Sequence, residues 1–438
     1  MNEAASFQAF FDAIKLDSLD EYQGTIDSIS QKLCSSYYEP DDASESDYGI
    51  VVGSVGRGTA VSGTSDLDML FVLPLAVYRK FDSYDSNGQS ALLQEVRRIL
   101  KERYPKTEIK GDGQAVVINF TNRRFTIDLV PAFAQDDGSF RYPDSNDGGA
   151  WKKTNPMPEQ EACEELISAT GGVARALCNV LRVWKNNVGF HFKGLLIDTL
   201  VGRYFDCVDE PPRDPYDLLI DLFEFLSQED GEKAYWHAIG SNQLIYNDDQ
   251  GEFVSQANNA AAQLRSAGDD MAREQALASL FGRAFSDCVV DGLTEEQERV
   301  WARRYGVDDG EMFIEDMFSV DISHSMSIDC EVTQDGFRPH KLREMLIRHL
   351  PLLRGKSLQF CVARKSLPNG CRFYWKVRNC GEVAYSRNCL RGRIVEGDQS
   401  GTWREHSDFK GPHYVECYAV KDGVCIARSR IDVPIEER

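Results

Sequence analysis

The chain has 438 residues, 42% of them hydrophobic, with a formal net charge of −21. At ~150 residues per domain, that length has room for about three domains. Duplex nucleic acid is bound chiefly by Lys and Arg neutralising phosphates, so this balance argues against a nucleic-acid activator. No apolar run approaches the ~18–20 residues that cross a membrane, so no membrane association is expected.

No secretory signal is read at the start. The first twenty residues are acidic and amphipathic, with Phe7, Phe10, Phe11 and Ile14 at helical spacing. Leu19, Tyr22, Ile26, Ile29 and Leu33 recur at steps of three and four, predicting a helix capped by Asp17 or Ser18. An acidic loop over residues 40–47 follows.

The run Gly49-Ile-Val-Val-Gly-Ser54 reads as a strand and a Gly-Ser turn. After a loop, Gly63-Thr-Ser-Asp-Leu-Asp-Met-Leu-Phe-Val72 reads as a strand carrying Asp66 and Asp68. Another carboxylate, Asp128, lies in the apolar run Phe125-Thr-Ile-Asp-Leu-Val130. Residues i and i+2 of a strand share a face, about 6.5–7 Å apart. Paired metals at phosphoryl-transfer sites lie about 3.5–4 Å apart, within reach of such side chains. A lone Asp-x-Asp is usually a solvated strand edge. Here both aspartates precede an apolar strand, and Asp128 is bracketed by Ile127 and Leu129, where polarity is costly. A turn with Gly53, Ser54, Gly56 and Gly58 lets backbone approach a phosphate, with Arg57 as a further partner.

Residues 91–103 predict a helix burying Leu92, Val96, Ile99 and Leu100. Its Arg97, Arg98, Lys101 and Arg103 read as a solvated face more readily than as a nucleic-acid patch. Residues 115–120 and 125–130 predict a hairpin across 121–124, giving an α/β palm with its acids on adjacent strands. This constellation resembles the polymerase-beta-like nucleotidyltransferases. The resemblance implies that Gly53 and Ser54 hold a donor triphosphate. It makes Asp66, Asp68 and Asp128 the catalytic, metal-binding acids, with two Mg2+ ions and Mn2+ as a substitute.

Helical periodicity then dominates to about residue 285. Leu166, Val173, Leu177, Val180, Leu181 and Trp184 predict one long helix, weakened at Gly171-Gly172. Residues 195–205, 216–226 and 256–281 predict further helices, and 294–304 a charged connector helix. A palm followed by such a lobe is similar to oligoadenylate synthetase, cyclic GMP-AMP synthase and the bacterial CD-NTases. Leu181-Arg-Val-Trp-Lys185 looks like their spine helix, which implies that Lys185 reaches the donor triphosphate. Relatives often carry Ser-Phe-x-Leu-Glu downstream. This chain departs from that with Lys193-Gly-Leu-Leu-Ile-Asp198, which leaves Lys193 as the candidate to replace the phosphate-binding serine that the resemblance implies.

The remainder alternates with period two, for example Phe373-Tyr-Trp-Lys-Val-Arg378 and Tyr414-Val-Glu-Cys-Tyr-Ala-Val420, and predicts an all-β sandwich. Lys376 and Arg378 share one strand face, read as solvent-facing or as a cationic contact for phosphate or an acidic surface. Twelve cysteines include no Cys-x-x-Cys pair, which predicts reduced, packed thiols and no zinc site, in a cytoplasmic protein. The run from Tyr374 to Ala384, Leu390-Arg-Gly392, Gly411-Pro-His-Tyr-Val-Glu416 and the entry segment Phe313-Ile-Glu-Asp-Met-Phe-Ser-Val-Asp321 resemble the AGS-C domain that follows SMODS-type nucleotidyltransferases.

The expected fold class is α+β. Residues 1–157 form a palm with N-terminal helices, 158–288 a helical lobe, 289–312 a connector and 313–438 an AGS-C-like β-sandwich. The resemblance implies an enzyme that makes a cyclic di- or trinucleotide from NTPs, ATP among them, in antiphage (CBASS-type) defence. Its product acts on a downstream effector that responds to cyclic nucleotides. The rival readings are a linear nucleotidyltransferase acting on RNA, protein or a small molecule, and a non-catalytic nucleotide-binding scaffold.

Overall fold

In the computed structural model, residues 3–16, 19–39, 48–64, 66–120, 125–290, 311–333, 338–380 and 382–436 are described. The expected cap at Asp17 or Ser18, the loop over 40–47, the turn over 121–124 and the connector helix over 294–304 lie outside the described residues.

Two helices, α1 (Glu3–Ile14) and α2 (Asp20–Tyr37), precede the palm strand β1 (Gly49–Val51). The turn α3 (Gly53–Gly56) leads to β2 (Asp66–Val72), and α4 (Leu75–Asp82) and α5 (Gly88–Arg103) follow. The palm continues with β3 (Glu108–Asp112), β4 (Ala115–Phe120), β5 (Phe125–Ala134), β6 (Phe140–Asp144) and β7 (Ala150–Thr154). The sheet order is β1-β2-β5-β4-β3, with β6 and β7 extending from β5. All its pairs are antiparallel except β2 with β5, which run parallel.

Period-two alternation sorts the faces of these strands. Leu67, Met69 and Phe71 of β2 and Ile127 and Leu129 of β5 pack under α2 and α5, against Ile26, Ile29, Leu33, Val96 and Leu100. Asp66, Asp68 and Asp128 therefore fall on the other face. The basic residues of α5 are used locally: Arg98 pairs with Glu102, while Arg97 and Lys101 donate to the carbonyls of Ile109 and Thr107.

The lobe comprises α6 (Met157–Ala169), α7 (Val173–Val188), α8 (Gly194–Cys207), α9 (Pro215–Ser227), α10 (Glu252–Ser266), α11 (Asp270–Phe281) and α12 (Arg283–Val290). A small hairpin of β8 (Tyr235–His237) and β9 (Leu244–Tyr246) lies between α9 and α10. The single long helix expected across Gly171-Gly172 is two helices, α6 and α7, bent by 114°. Both glycines have positive φ, which ends one helix and starts the next. α1 buries Phe7, Phe10 and Ile14 in the core of this lobe, with Leu181, Trp184 and Phe281. Among the described residues no single helix is long and apolar enough to cross a membrane.

The C-terminal region opens with α13 (Ile314–Met317) and β10 (Ser319–Val320). The strands β11 (Met326–Thr333), β12 (His340–Lys341), β13 (Leu352–Leu353), β14 (Ser357–Lys365) and β15 (Arg372–Arg378) follow. The last four are β16 (Arg391–Glu396), β17 (Thr402–His406), β18 (Gly411–Lys421) and β19 (Val424–Glu436). One sheet runs β10-β19-β18-β15-β16, with β13 on β19, and faces a second sheet, β12-β11-β14-β17. Ile328, Cys330 and Phe360 of the second sheet meet Trp375, Cys417 and Ile431 of the first. All twelve cysteines are free thiols.

The outer face of the larger sheet is not open to solvent. Ile314 and Ile322 pack on Tyr374, Tyr418 and Cys425. This overturns the solvent-facing reading of Lys376 and Arg378, which are each 2% exposed. Lys376 Nζ lies 2.6 Å from Glu311 and Arg378 Nη2 3.3 Å from the same carboxylate. Arg378 also donates to the Arg391 carbonyl at 2.7 Å. Arg378→Glu would put two carboxylates face to face without water. We expect a loss of about 3–5 kcal/mol in the stability of this domain, read by chemical denaturation. A variant as stable as the parent would refute this buried pairing.

Candidate active site

The turn after β1 is built against β2. The Val52 amide donates to the Asp68 carbonyl at 2.9 Å, and the Gly56 amide to the Val52 carbonyl at 3.0 Å. Gly53 has φ +66, and a Cβ there would lie 1.9 Å from the Asp68 carboxylate. Only glycine lets this backbone come so close to the acid. Gly56 is needed for packing: a Cβ there would meet Gln160 at 2.1 Å and the Val51 carbonyl at 2.6 Å.

Parallel pairing sets Asp68 opposite Asp128 and Asp66 opposite Thr126. The Thr126 hydroxyl donates to Asp66 at 2.8 Å. All three acids border one cleft of about 810 Å3, together with Gly53, Ser54, Lys185 and Lys193. Burial, then the neighbouring Asp66 charge, pushes Asp68 up to about 6. Burial, then the charges of Asp68 and Asp66, pushes Asp128 up to about 7. A carboxylate that pays both desolvation and like-charge repulsion gains from a nearby cation. Among the described residues, no group of three or more His, Cys, Asp and Glu stands ready to hold a metal unaided. Magnesium commonly takes one or two carboxylates and completes its shell with water and substrate phosphate, so this donor set fits a magnesium ion that arrives with a nucleotide.

Lys185, on α7, reaches the cleft but is engaged there. Its Nζ donates to Asp321 and to the Ile322 carbonyl, both at 2.8 Å. Lys193, just before α8, donates to the Tyr246 carbonyl at 2.7 Å and pairs with Asp248. Arg57 also borders the cleft but is engaged by Asp198, its Nε donating at 2.8 Å. Asp198 also accepts from Thr59 at 3.0 Å and from Arg182 at 2.9 Å. Burial pushes the Asp198 carboxyl up, but the Arg182 and Arg57 guanidiniums outweigh it and hold the carboxyl below its ordinary value. Sequence reasoning missed Asp198 as an anchor and Asp321 as a cleft residue. Asp198 closes the stretch that departs from Ser-Phe-x-Leu-Glu, at the acidic position, and that was the available signal.

The palm, the facing carboxylates on parallel strands and the glycine-serine turn above them have the arrangement of the polymerase-beta-like nucleotidyltransferase fold. Residues 1–166 match the family described as the Second Messenger Oligonucleotide or Dinucleotide Synthetase domain, SMODS. Residues 308–436 match the Adenylyl/Guanylyl and SMODS C-terminal sensor domain, AGS-C. The chain thus carries a match to the SMODS family at one end and to the AGS-C family at the other.

A curated relative, a probable cyclic nucleotide synthase of Bacillus cereus (strain VD146), is 26% identical over 106 residues, or 24% of this chain and 32% of that protein. The match thus spans about a third of that relative's length. Among solved structures, CdnC of Escherichia coli MS115-1 with ATP is 15% identical at a TM-score of 0.49, covering 65% of this chain and 99% of that one. The Bradyrhizobium diazoefficiens CD-NTase CdnG in complex with GTP is 13% identical at a TM-score of 0.47, covering 65% of this chain and 96% of that one.

Proposed function

We propose that this chain is a metal-dependent nucleotidyltransferase that joins NTPs, ATP among them, into a cyclic di- or trinucleotide second messenger for antiphage signalling. The observation that carries the reading is the register of β2 and β5. It sets Asp68 beside Asp128, with Asp66 on the same face, below a glycine that leaves no room for any side chain between backbone and acid.

The roles follow from position. Gly53 and Ser54 offer backbone amides and a hydroxyl to the donor triphosphate at the edge of the acids. Lys185 and Lys193 border the same cleft as cationic partners for its phosphates. Asp66 and Asp68 would hold a Mg2+ on the donor, and Asp128 would share a second. Bound there, magnesium supplies charge neutralisation at the reacting phosphate and acidifies an attacking hydroxyl. Asp128, beside Asp68, marks the place for the acceptor ribose hydroxyl, in line with the α-phosphate. The cleft lies between palm, lobe and C-terminal domain, which limits water at the transferring phosphoryl group. A linear intermediate must turn within it so that its own hydroxyl meets the second α-phosphate.

The test is incubation of the purified chain with Mg2+ and each labelled NTP, singly and in pairs, followed by phosphatase digestion and mass spectrometry. The expected product resists phosphatase, has the mass of a cyclic di- or trinucleotide, and disappears with EDTA. A phosphatase-sensitive product, or nucleotide attached to RNA or protein, would establish the linear reaction instead. The product is expected to act on an effector that recognises cyclic nucleotides.

A further inference from the structure

The cleft is walled by palm and lobe on two sides, and by the entry segment of the C-terminal domain on the third, from Phe318 to Ser323. This segment grips α7 at consecutive residues. Lys185 donates to Asp321 and to the Ile322 carbonyl, as described above. The Asn186 side chain donates to the Val320 carbonyl at 3.3 Å and accepts from the Ile322 amide at 3.0 Å. The segment is itself part of the C-terminal sheet: Ser319 and Val320 pair in parallel with Val424 and Cys425, and the Asp321 amide donates to the Cys425 carbonyl at 3.1 Å.

Exposure shows which charge the cleft presents. The Lys185 side chain is 9% exposed, and that of Asp321 is 43% exposed. The ammonium is thus covered, and a carboxylate faces the space where phosphates would lie. Two of the three donors that a lysine ammonium offers are taken. Asp321 also adds negative charge to a cleft that already holds Asp66, Asp68 and Asp128. A polyphosphate and the Asp321 carboxylate cannot both be close to Lys185 without strong repulsion.

We propose that Asp321 is an internal competitor for the donor triphosphate: the segment from Phe318 to Ser323 occupies Lys185 in the unloaded enzyme, and donor binding must displace it. The proposal rests on the reading that Lys185 receives the donor's phosphates. Its consequence is reciprocal coupling. Whatever loosens the segment from α7 raises donor affinity, and donor binding loosens the segment by the same factor. The C-terminal domain, whose strand β19 pairs with this segment, thereby gains a direct route to the catalytic cleft.

Inorganic tripolyphosphate with Mg2+ is the probe, because it carries the recognised group without a base. Its affinity is measured by calorimetry on the full chain, for the parent, Asp321→Asn and Lys185→Ala. Asp321→Asn is expected to bind about tenfold more tightly, the order of one charge-assisted contact no longer competed away. Lys185→Ala is expected to bind more weakly than the parent. If Lys185→Ala binds as the parent does, the phosphate role of Lys185 is wrong. If it weakens binding while Asp321→Asn leaves affinity unchanged or lowers it, the lysine reading stands and the competition is overturned. Hydrogen exchange on the parent gives a second readout that needs no variant. Saturating tripolyphosphate should speed exchange of the Ile322 amide, which Asn186 holds at 3.0 Å. Unchanged or slower exchange would refute displacement.

Discussion

Asp66→Ala with Asp68→Ala is expected to remove nucleotide incorporation, by a factor of at least about a thousand, while leaving the fold intact. Metal-borne charge stabilisation in phosphoryl transfer amounts to several kcal/mol, and about 1.4 kcal/mol is tenfold in rate. The fold survives because these carboxylates do not hold the sheet together; Leu67, Met69 and Phe71 do, on the opposite face. Stability should even rise in EDTA. Asp68 and Asp128 stand at about 6 and about 7 in the folded chain, against an ordinary 3.8. A carboxyl whose folded pKa is raised binds more protons folded than unfolded, so its ionisation costs stability as pH climbs through that window. The double variant lacks Asp68 and relieves Asp128 of two negative neighbours. Its melting temperature should therefore equal or exceed that of the parent at pH 8. The gap should close near pH 4, where these carboxyls are protonated. Retained turnover would remove Asp66 and Asp68 from the chemistry. A lower melting temperature at pH 8 would show that the acids support the fold.

The placement of these acids was legible because strand periodicity is local. Residues two apart share a face whatever the rest of the chain does, so Asp66 and Asp68 could be set together from sequence. That the acids lie on adjacent strands was expected, but the parallel pairing that sets Asp128 opposite Asp68 was not, since an apolar strand pairs equally well in several orders. Long-range polar pairing left no local trace. Lys185 and Asp321 are 136 positions apart, and Arg57 and Asp198 are 141 apart. Arg57 therefore looked free to meet phosphate. The solvent-facing reading of Lys376 and Arg378 failed for a related reason. Alternation says which residues share a face but not what covers it, and here Ile314 and Ile322 cover it. At Gly171-Gly172 the apolar period runs through a bend that only the backbone reveals. Side-chain spacing alone prices two glycines as a weak point, whereas their positive φ makes them a corner.

Asp198→Ala is expected to cost about 3–5 kcal/mol in the unfolding of the catalytic region, because it strands the partners of a buried charge. Asp198 is 1% exposed, and the Arg182 and Arg57 side chains are 7% and 9% exposed. Arg182 Nη1 also lies 2.8 Å from the second Asp198 oxygen. A buried ion pair contributes little over an apolar replacement, but removing one partner leaves the other charged and out of water. The arrangement does more than hold helices together. Arg57 and Thr59 lie just past α3, so Asp198 on α8 ties the strand-to-turn backbone of the palm to the lobe. Loss of that tie should also raise the KM for the NTP, since Gly53 and Ser54 are carried by the same turn. Asp198→Asn keeps the shape and one acceptor oxygen, so its losses should be smaller on both readouts. Acid supplies a further check. The folded pKa of Asp198 is lowered, so its contribution is present above the ordinary 3.8 and is lost as pH falls through the lower folded value. The stability gap between parent and Asp198→Ala should hold from neutral pH to about 4 and shrink only below that. Denaturation curves for the two proteins that coincide at pH 7 would mean that Arg57 and Arg182 find other partners, and that Asp198 is not the anchor of this turn.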